Sequence, residues 1–238
     1  MASIKTPLGR LYYKPVNLYV GIKQMNRDIA FDNLKVLLQV LRELNICATP
    51  AYGTLLGIIR ENNFIEWDED IDLFILKEDQ ERLLNAFWKL KEKGFELIRV
   101  DRCGHLYSIM RKNEYIDFYI MTSISPELRT TYGGGFIFEK YLTDLVKYNF
   151  RGLTINVPRE YENCLEFMYG DWRTPAKYAN FKMSKTAIFK AKLLNILKNS
   201  LPYSIHFQLL KKYHKKDLDK FLIKCKQKGI TLHYSINY

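Results

Sequence analysis

The stretch FIEWDEDIDLFI, Phe64 to Ile75, sets Asp68, Glu69, Asp70 and Asp72 into five successive positions and encloses them with apolar neighbours. Carboxylates are costly to bury without a partner, and most lie on solvated surfaces. Such a run at the entrance of an apolar, strand-like segment needs a reason. On a strand alternate side chains share a face, so Asp68, Asp70 and Asp72 point one way and Glu69 and Ile71 the other. Like charges this close raise one another's pKa and repel unless a cation lies between them. A hard divalent ion such as Mg²⁺, with Mn²⁺ as the alternative, prefers carboxylate oxygens and often completes its shell with substrate phosphates. An EF-hand loop is excluded, because the spacing is too short and no glycine holds the turn position. The plain alternative is a solvated acidic turn before a strand. Trp67 and the apolar flanks count against it.

Working outward, YGTLLGIIR (Tyr52 to Arg60) places Gly53 and Thr54 where a helix would begin. Their amides and the Thr54 hydroxyl form a ready anion site, and the Arg60 guanidinium on the same segment can fork onto a phosphate. A lone Gly-Thr says almost nothing, but Gly-Thr followed by Asp-x-Asp on the next strand is far more specific. Downstream, YIDFYI sets Asp117 alone inside an apolar, aromatic strand. Asp117 is either a buried carboxylate satisfied by a backbone donor or a lysine, or a third metal ligand from a neighbouring strand.

These residues resemble the signature of the LicD/fukutin-related family, roughly G-T-L-L-G-x-x-R followed by F-I-x-W-D-x-D-I-D. The likeness is dense over Tyr52–Leu76, and weaker at Asp117 and at FMYGDWRTP. Glu66 departs from it, standing where proline usually precedes the tryptophan. The resemblance implies a nucleotidyltransferase-like fold, with a central mixed sheet and a Gly-Ser/Thr plus Asp-x-Asp metal site. It implies transfer of a phosphorylated alcohol, of phosphocholine or polyol phosphate type, from a CDP-activated donor to a sugar hydroxyl of a cell-surface glycan, releasing CMP. On that reading Asp70 and Asp72 hold Mg²⁺, and Asp117 completes the site or deprotonates the acceptor. Asp68 is a second-metal ligand or an orienter, and Gly53, Thr54 and Arg60 hold donor phosphates. Two rivals use the same sequence. One is a nucleotidyltransferase releasing pyrophosphate; the other is a non-catalytic module docking on membrane or nucleic acid. The full set of carboxylates argues against the second.

The remaining chain reads as a mixed α/β body. Helices are expected over Asp28–Leu44 (capped by Asp28), Glu78–Lys93 (stopped by Gly94) and Glu160–Tyr169. Strands are expected over Ile46–Tyr52, Asp70–Leu76, Phe95–Val100, His105–Arg111 and Tyr115–Met121, with a hairpin turning at Arg151-Gly152. TYGGGF, with Tyr132 and Gly133–Gly135, reads as a linker or a lid. Tyr169, Asp171 and Trp172 border a pocket or simply form the corner that ends a helix. The net charge of +11 lies wholly in residues 182–238, which hold 13 Lys, no Arg and 2 acids, whereas residues 1–181 are neutral. The expected division is therefore 1–181, catalytic, and 182–238, a basic helical extension broken near Pro202. Lysine without arginine suits an anionic membrane surface, where a lipid-linked glycan acceptor would lie, better than base readout; no nucleic acid is expected. The four cysteines and four histidines show neither disulfide-framework nor zinc spacing. No segment is apolar enough for a signal peptide or a bilayer span, so the expected location is cytoplasmic.

Overall fold

Asn26 opens the first long helix: its side chain accepts the amides of Asp28 and Ile29, each at 3.2 Å, and caps α1 (Arg27–Glu43). Asp28, expected as the cap, lies two residues later, in the first turn, and pairs instead with Arg151 at 3.0 Å. The computed structural model describes residues 1–16, 18, 23–131, 135–175, 186 and 200–236. Besides α1 it contains β1 (Ala2–Thr6), β2 (Gly9–Tyr13), β3 (Ala48–Pro50), α2 (Tyr52–Glu61) and β4 (Ile71–Leu76). A 3-10 turn (Lys77–Asp79) leads into α3 (Gln80–Glu92), then β5 (Glu96–Val100), β6 (Leu106–Arg111) and β7 (Glu114–Ser125). The chain continues through β8 (Leu128–Thr131), β9 (Gly135–Phe138), α4 (Lys140–Thr143), β10 (Leu145–Phe150), β11 (Leu153–Pro158), α5 (Tyr161–Tyr169) and α6 (Tyr203–Gln227).

The central sheet runs β3-β4-β7-β6-β5, with β8 and β9 extending from β7. Only β4 and β7 pair in parallel; β3-β4, β7-β6 and β6-β5 are antiparallel, so the sheet is mixed. Period-2 alternation divides its two faces. Ile71, Leu73 and Ile75 of β4 and Ile116, Phe118 and Ile120 of β7 are buried in the core with Leu34, Leu37 and Leu41 of α1 and Leu83, Phe87 and Leu90 of α3. Each such side chain contributes about 1.5–3 kcal/mol of burial. The Phe87 and Phe118 rings meet at 6.1 Å, which fixes that face as the helix-covered one. The opposite face carries Asp72 and Phe74 of β4 and Tyr115, Asp117 and Tyr119 of β7.

The hairpin β10-β11 turns at Arg151 (φ +51°) and Gly152 (φ +85°), two successive left-handed residues matched to strand twist. The β1-β2 and β8-β9 pairs were not anticipated from sequence. Gly135 (φ +89°) starts β9 opposite Thr131, so part of the TYGGGF segment is sheet; Tyr132, Gly133 and Gly134 lie outside the described residues. In the C-terminal part, the expected boundary at 181/182 and most of the helical extension expected before Pro202 also lie outside them. The described helix α6 packs its His214, Leu218, Phe221 and Cys225 inward, with Phe221 touching Phe136, Phe138 and Phe167. Among the described residues no helix is long and apolar enough to cross a membrane.

Candidate active site

One row of the sheet carries the site. Asp72 of β4 stands in register with Asp117 of β7, Asp117 with Ser108 of β6, and Ser108 with Arg99 of β5. The row therefore runs Arg99, Ser108, Asp117, Asp72 across four strands. Two residues earlier on the same face, Asp70 sits beside Tyr115 and receives its hydroxyl hydrogen bond. Asp72 is likewise bonded by Tyr119. Carboxylate oxygens of Asp70, Asp72 and Asp117 lie within 4.8 Å of one another, the one such grouping with metal-binding potential among the described residues.

The backbone of Asp72 is clamped by the start of α2. Its amide donates to Thr54 Oγ1 at 2.8 Å, and its carbonyl accepts the Ala51 amide at 3.0 Å. The Thr54 hydroxyl, on a side chain only 1% exposed, thus positions Asp72. Tyr52, just before, adopts φ +43° and is wedged edge-on between Phe74 (5.1 Å) and Tyr119 (5.3 Å). A bulky residue in the left-handed region costs about 1–3 kcal/mol, and such strain collects at functional sites.

Asp68 stands apart from the three-carboxylate group. The strand begins only at Ile71, so side-chain alternation does not extend back to Asp68. Its carboxylate instead covers Gly53, where an added Cβ would meet Asp68 Oδ2 at 2.5 Å. Gly53 is needed for this close approach. Arg60 lies near the other end of α2, with Nη2 on Glu61 at 2.6 Å and Nη1 on the Trp172 carbonyl at 3.3 Å. Its charge still reaches Asp68. Tyr169 is exposed and acts electrostatically on Tyr52, Trp172 is buried, and Asp171 accepts the Thr174 amide at 3.4 Å.

Electrostatics make the cluster costly as it stands. Burial, then the neighbouring Asp117 and Glu69 charges, push Asp70 up to about 8. Burial, then Asp70, Asp117 and Asp68, hold Asp72 well above the usual carboxylate range. Burial, then Glu69 and Glu61, raise Asp68 to about 7. Asp117 is raised by burial although Arg99 and Ser108 oppose the shift. Arg99 Nη2 contacts Asp117 Oδ2, while its Nε donates to Ser108 Oγ at 2.8 Å. The remaining oxygen, Asp117 Oδ1, is buried with no hydrogen-bond partner. An orphaned carboxylate oxygen facing two further carboxylates fits a hard divalent cation, which neutralises the repulsion and satisfies the oxygen at once.

Sequence reasoning singled out the carboxylates, Gly53, Thr54 and Arg60 but missed Arg99, Ser108, Tyr115 and Tyr119. The tyrosines were within reach, because they lie two residues either side of Asp117 and so share its face. Arg99 and Ser108 needed the strand register.

Residues 45–160 match the LicD/FKTN/FKRP nucleotidyltransferase domain. Protein RP689 of Rickettsia prowazekii (strain Madrid E) is 25% identical over 167 residues, covering 67% of this chain and 56% of its own length. Protein RT0683 of Rickettsia typhi (strain ATCC VR-144 / Wilmington) is 23% identical over 167 residues, covering 67% of this chain and 47% of its own. The chain thus spans about half the length of these relatives. Among solved structures, the lincomycin-bound lincosamide adenylyltransferase LnuA is 13% identical with a TM-score of 0.41, covering 69% of this chain and 95% of that one. ANT(2")-Ia in complex with adenylyl-2"-tobramycin is 13% identical with a TM-score of 0.39, covering 78% and 98%. These scores are too low to carry over any residue or substrate. The match to the LicD/FKTN/FKRP nucleotidyltransferase domain thus covers residues 45–160, just under half of the chain, and takes in Asp70, Asp72 and Asp117 together with β4 and β7.

Proposed function

We propose that the protein transfers a phosphorylated alcohol, of phosphocholine or polyol phosphate type, from a CDP-activated donor to a sugar hydroxyl of a cell-surface glycan, releasing CMP. The observation that carries the metal-dependent part is the convergence of Asp70, Asp72 and Asp117 around the unpartnered Asp117 Oδ1. Asp70, Asp72 and Asp117 would hold Mg²⁺ or Mn²⁺. When bound, such an ion neutralises charge on the donor phosphates.

The chain's own task is positioning. The acceptor oxygen attacks the phosphorus that bears the alcohol, the bond from that phosphorus to the CMP oxygen breaks, and the hydroxyl proton leaves. Asp117 Oδ1 either completes the cation's shell or receives that proton. Mg²⁺ binding to Asp117→Asn separates these roles, because loss of turnover with retained binding assigns the base. Tyr115 and Tyr119 keep their protons, since burial and the carboxylates push their phenols upward, and so remain donors that orient Asp70 and Asp72. Gly53 at the start of α2 would border the donor phosphates, with Thr54 behind it holding Asp72 in place and Arg60 reaching the site only by its charge from the last turn of the helix. The family resemblance supports the CDP-alcohol donor. A lysine-rich tail (residues 182–238) that contacts an anionic membrane would bring the enzyme to a lipid-linked acceptor.

The test is incubation with a panel of CDP-alcohols, Mg²⁺ and candidate glycans, following the nucleotide released. CMP supports the reading. Pyrophosphate from a nucleoside triphosphate, with no CMP from any CDP-alcohol, replaces it with nucleotidyl transfer.

A further inference from the structure

The helix α6 is apolar on two sides. Its inner stripe, His214, Leu218, Phe221 and Cys225, steps by four, three and four residues and is buried against the body. His214 Nε2 lies 2.6 Å from Thr130 Oγ1 and its ring stacks on Phe136 at 4.6 Å. At the C-terminal end Lys224 and Lys228 donate to the carbonyls of Met168 (3.3 Å) and Glu166 (3.4 Å), tying the helix to α5. This docking fixes which face looks outward.

On that outer face a second stripe repeats every three or four residues: Ile205, Leu209, Lys212, Lys216, Lys220 and Ile223. The aliphatic members are 47%, 40% and 58% exposed, and Tyr213 at its edge is 60% exposed. Lys212 and Lys216 have no ion-pair partner among the described residues, and Lys220 makes one exposed pair with Asp217 at 3.0 Å, of little energetic weight. From Ile205 to Ile223 the stripe extends about 27 Å along the helix. An ordinary cap helix needs only the inner stripe. Branched aliphatics flanking a row of lysines on the solvent side complement a partner that is both negative and apolar.

We infer that the outer stripe of α6 docks the protein on an anionic lipid bilayer, with Lys212, Lys216 and Lys220 at the headgroups and Ile205, Leu209 and Ile223 entering the interface. Charge complementarity favours lipid over nucleic acid. A phosphate backbone would use the lysines but leave the aliphatics exposed, and the face carries no arginine to fork onto bases. The inference deepens the peripheral contact proposed above, and its test uses no nucleotide or glycan, so it can fail or hold independently of the chemistry.

The experiment is co-sedimentation of the full chain with phosphatidylcholine vesicles containing increasing phosphatidylglycerol, at low and physiological salt. Binding should grow with phosphatidylglycerol and weaken with salt. Each lysine lost should cost roughly fivefold, so the triple variant Lys212→Gln/Lys216→Gln/Lys220→Gln should bind about a hundredfold more weakly. The double variant Leu209→Ser/Ile223→Ser should lose the salt-resistant part. A control, Lys5→Gln/Lys35→Gln/Lys91→Gln, removes equal charge away from α6 and should bind like the parent once circular dichroism shows all variants folded. Equal loss in the control, absence of binding at low salt, or tighter binding to a single-stranded oligonucleotide than to the vesicles overturns the inference.

Discussion

Removing the Arg99 guanidinium should expose the electrostatic debt of the site, and Arg99→Met is the sharpest way to do it. Methionine keeps much of the apolar stem while deleting the contacts to Asp117 and Ser108. Stripping one partner from a buried ion pair costs about 3–5 kcal/mol. Two features reduce that figure here. The Arg99 side chain is 34% exposed, so water already screens part of the interaction. Asp117 can also take up a proton instead of staying charged. A cost of roughly 1–3 kcal/mol at pH 8 remains, or a fall in Tm of about 2–12 °C for a chain of this size.

The pH dependence gives the signature. Burial already raises the Asp117 carboxyl in the folded protein, and losing Arg99 raises it further. A carboxyl whose folded pKa exceeds its unfolded value imposes no penalty below the unfolded pKa. The penalty grows as pH rises between the two and levels off above the folded one. Arg99→Met should therefore melt close to the parent at pH 5 and well below it at pH 8. Saturating Mg²⁺ should recover more stability in the variant than in the parent, because the cation replaces the lost positive charge beside Asp117. Melting curves at both pH values, with and without Mg²⁺, decide the matter. A deficit equal at pH 5 and pH 8 reduces Arg99 to a packing role, and no extra recovery with Mg²⁺ denies that Asp117 faces a cation.

Other outcomes follow from the same geometry. Asp70→Asn and Asp72→Asn should each abolish metal-dependent turnover while metal-free Tm at pH 8 holds or rises, since a repelling charge is gone; turnover persisting in either variant, or in excess chelator, contradicts the assignment. Mg²⁺ affinity should climb between pH 6 and pH 8 and flatten above, because Asp70, at about 8, must lose its proton before it can coordinate; calorimetric titration showing a pH-independent Kd argues against these ligands. Gly57→Ala should lower Tm by about 2–10 °C, because its Cβ would sit 2.6 Å from the Asn63 carbonyl and 2.9 Å from the Ile65 amide, whereas Gly53→Ala displaces only the Asp68 side chain and should lower activity with little change in Tm. Arg60→Lys cannot reproduce the fork to Glu61 and Trp172, so turnover should drop if that fork shapes the donor site; silent kinetics remove Arg60 from it.

Much of the architecture was legible because local chemistry and tertiary context agree. Alternation in DIDLFIL and YIDFYI sorts Ile71, Leu73, Ile75, Ile116, Phe118 and Ile120 to the helix-covered face without any knowledge of pairing. The Arg151-Gly152 turn was legible despite a weak turn pair, because the strands on each side left it no other length. Where signals competed, sequence reading failed. Asn26 and Asp28 both serve as caps in principle, and only the observed extended backbone at Asn26 selects the first. In α6 two apolar stripes on opposite sides overlap in the sequence, so neither stands out as a single amphipathic period until the buried one is identified. The β8-β9 pair was obscured by a glycine run that reads as linker.

The site divides in the same way, and the division is physical. Everything within one strand or one turn was readable: Asp70 with Asp72, and Gly53 with Thr54. Asp68 lies against Gly53 and outside the three-carboxylate group, because the strand begins only at Ile71 and alternation does not carry back to it. The Arg99-Ser108-Asp117-Asp72 row depends on which strands are neighbours and in what register, and a shift of one residue between β5 and β6 would turn Arg99 to the other face. The register also shifts between Leu97 and Arg99, so counting alternation along ELIRV from Leu97 misplaces the arginine. The irregularity in β5 thus sets the cation on the same row as the acids, and no reading of β5 in isolation would have found it.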